Sequence, residues 1–106
     1  MIIINGIRWD LLLVDPSNTK LQMPNGKQAF GCCDNFTHIL YISKGLNKKA
    51  LKKVLRHEIT HAFIYSRNIL LTPKEEETVV EIVTDYGNQI NRIANRAYKQ
   101  IKEGKY

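Results

Sequence analysis

No stretch of this sequence is apolar for anything near the roughly 20 residues that a bilayer-spanning helix needs. The opening MIIINGIRWD has only three consecutive isoleucines, with no basic segment ahead of them. Neither a membrane span nor a secretory leader is expected, and the cytoplasm is the default compartment. Cysteine is scarce: Cys32 and Cys33 are adjacent and alone. Neighbours in sequence rarely bridge one another and seldom share a metal ion, so both read as reduced strand residues. Internal repeats, low-complexity runs and linkers are also missing. What remains is one domain, residues 1–106, near the lower end of sizes that bury an adequate core. With 43% hydrophobic and 25% charged residues, the composition argues for a folded chain rather than a disordered one.

The formal charge is +6, and its distribution says more than its sum. Six of the ten acids (Glu58, Glu75, Glu76, Glu77, Glu81 and Asp85) fall in the middle of the chain, while bases crowd Lys44 to Arg56 and Arg92 to Lys105. An acidic centre on a basic protein suits a cation site. The basic flanks would also suit nucleic acid. However, no helix-turn-helix spacing and no aromatic-interleaved basic strand supports that, and solvated lysine faces are the simpler reading.

The first half reads as strands. IIINGIRWDLLLVD is rich in β-branched and large apolar residues, with a turn or bulge at Asn5-Gly6. MPNG at 23–26 is a turn signal, KQAFGCC a second strand, and THILYIS at 37–43 a third. These predict a small antiparallel sheet. From Asn47 the period changes. Lys49, Lys53, Arg56, Thr60 and Arg67 form one narrow stripe of a helix, and apolar residues fill most of the remaining girth. His57, Glu58 and His61 lie inside that apolar arc. A carboxylate there must be protonated, paired or near a cation. Thr72-Pro73-Lys74-Glu75 opens a second helix with a capping box and a first-position proline, and apolar recurrence from Val79 to Ile101 extends it to about residue 102. Gly87 interrupts that pattern, as a kink, a break or a point of close packing.

Two histidines four apart on a helix can hold one zinc ion, and a glutamate directly after the first stands beside the metal, placed to take a proton from water. A catalytic zinc of this type needs a third protein ligand. Glu77, Glu81 and Asp85 share one side of the second helix. Glu75 and Glu76, in its first turn, are accounted for by the helix dipole. Glu81 is favoured as third ligand, with Asp85 one turn on to accept the free N–H of a ligating histidine; Glu77 is its rival.

HEITH at 57–61, with EIVTD at 81–85 and Glu81 twenty positions after His61, resembles the zincin metallopeptidases and, among them, the glutamate-ligand gluzincins typified by thermolysin. The resemblance implies His57, His61 and Glu81 as zinc ligands, Glu58 as general base and Asp85 as the partner of a ligand. The order of sheet, motif helix, short loop and glutamate helix looks closest to small phage and bacterial ImmA/IrrE-like and SprT-like proteins. The sequence departs from both: it has ETVVEIV where ImmA/IrrE-like chains carry E-A-N-x-F-A, and no histidine follows His61.

The expectation is an α+β fold: about three antiparallel strands packed on the HExxH helix and a long glutamate-bearing C-terminal helix. The expected activity is zinc-dependent hydrolysis of a peptide bond in a protein or peptide, which would pair with THILYIS if that strand is a sheet edge. By resemblance, a DNA-binding repressor is a conceivable substrate. The alternative is a catalytically silent, zinc-stabilised module that contacts DNA or a regulatory protein. His38 reads as a strand-face residue, and Tyr41, Tyr65 and Tyr86 as packing residues.

Overall fold

The computed structural model describes residues 2–105. Strands β1 (Ile2–Ile4) and β2 (Ile7–Val14) form a hairpin whose two-residue turn places Asn5 and Gly6 at φ 50° and 78°. These left-handed values suit the strand twist, and Asn-Gly adopts them readily. A loop carrying one 3-10 turn (Thr19–Leu21) leads to β3 (Gly31–Asp34) and β4 (Ile39–Ser43). Helix α1 spans Lys48–Ser66 and helix α2 spans Pro73–Lys102.

The expected α+β architecture is present, with a sheet of four strands in the order β1-β2-β4-β3. The sheet is mixed rather than wholly antiparallel, because β4 runs parallel to β2, with Asp10 opposite Ile39 and Val14 opposite Ser43. A parallel neighbour needs a long crossover, which the 3-10 turn, β3 and their loops supply. Thr37 and His38 belong to a turn rather than to the third strand. The Asp34 carboxylate accepts the backbone N–H of Phe36 and Thr37 at 3.0 and 3.2 Å, and His38 sits at φ 56°. β4 therefore lies between β2 and β3, so the condition that THILYIS form a sheet edge is not met.

Helix α1 packs on the sheet and α2 packs on α1. The core gathers Ile4, Trp9, Leu40 and Ala62, bordered by Ile2, Ile7, Cys33 and Ile59. Trp9 is fully buried beside His38, with ring centroids 4.8 Å apart, and its Nε1–H has no acceptor among the described residues. Each helix begins at a side-chain cap. The Asn47 side chain accepts Ala50 N–H, and Thr72 and Glu75 form the reciprocal box expected from the sequence. None of the described helices is long and apolar enough to cross a membrane.

Helix α2 runs unbroken through Gly87. A Cβ added there would meet only Val83 Cγ1, at an ordinary 3.8 Å. Gly87→Ala should therefore stabilise the protein by about 0.5–1 kcal/mol, the helix-propensity difference. Urea unfolding at constant m-value checks this; a destabilised variant would mean that the glycine is needed for packing.

Candidate metal centre

α1 carries HEITH where it crosses β3 and meets α2. Glu58 is buried, and the side chain is directed at the backbone of β3. The space it occupies exists because residue 31 is glycine. A Cβ at Gly31 would stand 2.8 Å from Glu58 Cγ, 2.9 Å from Glu58 Oε2 and 2.8 Å from Val54 Cγ1. Burial pushes the Glu58 carboxyl up to about 7; the nearby Glu77 charge adds to this, and His61 opposes it. The same low-dielectric setting lowers the basicity of His57, first by burial and then by the neighbouring His61.

The two imidazoles lie side by side, 5.0 Å between ring centroids. His61 Nδ1 is 2.5 Å from Glu76 Oε2, and His61 Nε2 is 3.1 Å from Glu77 Oε1. Both ring nitrogens of His61 therefore face carboxylate oxygens, and either a proton or a metal cation at Nε2 would balance the Glu77 charge. Donor atoms of His57, His61 and Glu77 all lie within 4.8 Å of one another. A tetrahedral zinc with bonds of about 2.0–2.1 Å separates its donors by roughly 3.3–3.4 Å, so small side-chain adjustments suffice. The donor set, two histidines and a carboxylate, suits zinc with one position left open.

The structure brings His57, Glu58 and His61 together with an acid of α2, and that acid is Glu77. Glu81 is exposed and stands outside the group, and Asp85 sits 3.6 Å from Lys53 Nζ at the surface instead of against a histidine. The place expected for Glu81 is occupied by Glu77, and Glu76 makes the contact expected of Asp85. The reason is helix register. α1 and α2 run antiparallel across the six residues 67–72, so residues equally far from that loop face each other. His61 meets Glu76 and Glu77, while Arg56 Nε donates to Thr84 O at 3.2 Å, two turns further along. Val80 and Thr84 mark the buried side of α2. Glu77 lies closer to that side than Glu81, which is rotated about 40° further around the helix.

Sequence reasoning missed Gly31 and Glu76. A glycine inside an apolar strand is a usable signal of close approach by another group. Glu76 had no such signal, since a first-turn acid already has the dipole as its reason. Thr84 is a further addition: its Oγ1 is buried with no hydrogen-bond partner among the described residues, and it lines the cavity at the site. That cavity, about 720 Å³, is lined by His57, Glu58, His61 and Glu77 together with apolar groups such as Leu21, Pro24 and Phe30. Cys32 and Cys33 take no part in the metal group. Burial raises both thiols, Cys33 to about 12, so neither is a thiolate near neutral pH.

A protein-family model described as a predicted Zn-dependent protease, DUF2268, matches residues 2–84, and the chain belongs to that family. The match covers the sheet, α1 and the first turns of α2, including every residue of the metal group. It lends no support to the narrower ImmA/IrrE-like or SprT-like resemblance. No curated protein and no solved structure matches the chain.

Two outcomes follow from the burial of Glu58. Gly31→Ala overpacks the contact between β3 and α1 and should lose about 1–3 kcal/mol in denaturant unfolding; an unchanged midpoint would show that Glu58 has room to move. The second concerns pH in metal-free protein. Glu58 keeps its proton in the fold up to about pH 7 but gives it up near 4.5 when unfolded. Between those values the unfolded state binds fewer protons, so the contribution of Glu58 to stability is full below about pH 4.5 and is lost as pH rises through 7. Glu58→Gln has no such proton. With chelator present, its Tm relative to wild type should rise by roughly 5 °C or more from pH 5 to pH 8. A constant offset would contradict the buried, protonated carboxyl.

Proposed function

We propose that this protein is a zinc metallopeptidase in which His57, His61 and Glu77 hold the metal and Glu58 is the general base. The observation that carries this reading is the convergence of the three donor groups beside a buried carboxyl at the wall of a cavity. Zinc bound there supplies a Lewis acid that acidifies water and polarises the scissile carbonyl. Glu76 holds His61 by Nδ1 and so directs Nε2 at the site. Glu58 accepts a proton from the attacking water and returns it to the departing amine. Its contact with Gly31 fixes where that carboxyl stands.

The substrate class is a protein or peptide. β3, rather than β4, is the sheet edge beside Glu58, and an extended peptide that adds to it would pass the general base. The apolar residues of the cavity lining suit a large apolar side chain next to the cleaved bond.

Metal analysis of purified variants tests the ligand set. Glu77→Ala and His61→Ala should lose zinc, Glu81→Ala should keep it, and Glu76→Ala should bind it about 10–100-fold more weakly. Retention by Glu77→Ala together with loss by Glu81→Ala would return the third position to Glu81. Glu58→Gln should keep zinc and slow peptide cleavage by about 10²-fold or more. A wild-type protein that binds zinc and gains Tm from it, yet cleaves nothing in broad peptide libraries, would leave the metal as a staple between α1 and α2.

A further inference from the structure

The cavity at the metal centre extends past the metal group along α1. Ala50, Lys53, Val54, His57 and His61 all line it, so it follows the helix for about 16 Å, the span of roughly five residues of extended chain. Two lysines are in its lining, Lys20 and Lys53; its acids among the described residues are Glu58 and Glu77, which belong to the metal centre. The two lysines are held differently. Lys20 Nζ donates to Asp34 Oδ2 at 2.9 Å and lies over the Tyr41 ring at 5.6 Å. The Asp34 side chain is largely buried and also accepts the N–H groups of Phe36 and Thr37. That charge is settled within the fold. Lys53 is open. Its ammonium stands 3.6 Å from Asp85 Oδ1, and the two side chains are 62% and 47% exposed. An exposed pair at that spacing adds little to stability, and the flexible four-carbon stem lets the ammonium change partners.

The place of Lys53 on α1 gives this charge a use. It precedes His57 by four positions, one helical turn or about 6 Å along the cavity. That is about two residues of an extended chain. A peptide whose reacting carbonyl sits at the metal, and which follows α1 toward its N-terminus, brings a side chain about two residues from that carbonyl beside Lys53. Asp85 shows which chemistry the ammonium takes: a single, loosely held carboxylate. Resting on the metallopeptidase reading above, we propose that Lys53 is a specificity-determining residue. It selects a substrate with an acidic side chain about two residues from the cleaved bond, and that carboxylate displaces Asp85. The exchange replaces a solvent-screened pair by one inside the cavity, where less water weakens it. A basic side chain at the same point meets a like charge, which discriminates against it.

Peptide hydroxamates, which chelate zinc, test the selection without requiring cleavage. Two series extend a capped peptide to either side of the chelating group, and each carries Glu, Gln or Lys two residues from it. Calorimetric titration of the zinc-loaded wild type should show the Glu compound of one series binding about fivefold tighter than its Gln twin, the upper range for one partly screened charge pair. The Lys compound should bind most weakly, and the differences should shrink as salt is added. Lys53→Met should bring the Glu and Gln compounds level, Lys53→Glu should reverse the order in favour of Lys, and Asp85→Asn should widen the preference for Glu. Hydroxamates that bind without charge preference in either series, or a preference for Glu that survives Lys53→Glu, would overturn the proposal and leave the metal centre standing. Hydroxamates that do not bind at all would overturn both. Cleavage is read separately on a random peptide library with cut sites mapped by mass spectrometry. Asp and Glu should be enriched two residues from the cut for the wild type, and Lys and Arg for Lys53→Glu. A library left uncut, with the order of the hydroxamates intact, would refute hydrolysis and uphold Lys53 as the residue that selects an acidic ligand.

Discussion

A carboxyl sealed under a helix is tolerable only with a proton or a cation at hand, and the arrangement around Glu58 follows from that constraint. Glu58 is buried against the backbone of β3, where the missing side chain of Gly31 leaves it room. The same helix presents His57 and His61 one turn apart, and α2 closes over them with Glu76 and Glu77. Without a metal the group keeps its charge down by holding the Glu58 proton up to about pH 7. A cation among the three donors would relieve the same problem by attraction.

The division of labour between the two helices is unequal. α1 carries residues whose positions are set by helical periodicity alone. α2 contributes residues whose value depends on how it lies across α1. Its N-terminal turns, already rich in acids that favour the helix dipole, become the other half of the metal group because a six-residue connection brings them back to His61. Its C-terminal half lies beyond that group and leaves apolar side chains such as Ile90 and Ile93 exposed. The family match stops where the first role ends.

Much of this was legible in the sequence. The hairpin at Asn5-Gly6, the caps at Asn47 and Thr72, the HExxH helix and the long second helix all rest on local rules: turn residues with φ above zero, side chains that accept orphan N–H groups, and a 3.6-residue period. The burial of Glu58 followed from the narrowness of the basic stripe on α1. The errors were non-local. The sheet was expected to be antiparallel, yet β4 enters between β2 and β3 and runs parallel to β2, a pairing that no single segment reveals. His38 was placed on a strand and is a turn residue stacked on Trp9.

The choice among acids on α2 shows where the boundary lies. Glu77, Glu81 and Asp85 share one side of an isolated helix, and spacing to His61 favoured Glu81. Residues 67–72 set the register that puts Glu77, and not Glu81, beside the histidines. Glu76 was assigned to the dipole, and it is also the acceptor of His61 Nδ1–H. By itself the sequence determined which chemistry was present: two histidines and a glutamate on one buried helical arc, and a supply of carboxylates on the next helix. Tertiary structure alone decided which carboxylate stands beside them, because the contact between two helices depends on the length and path of the loop between them, and no periodicity within either helix encodes that.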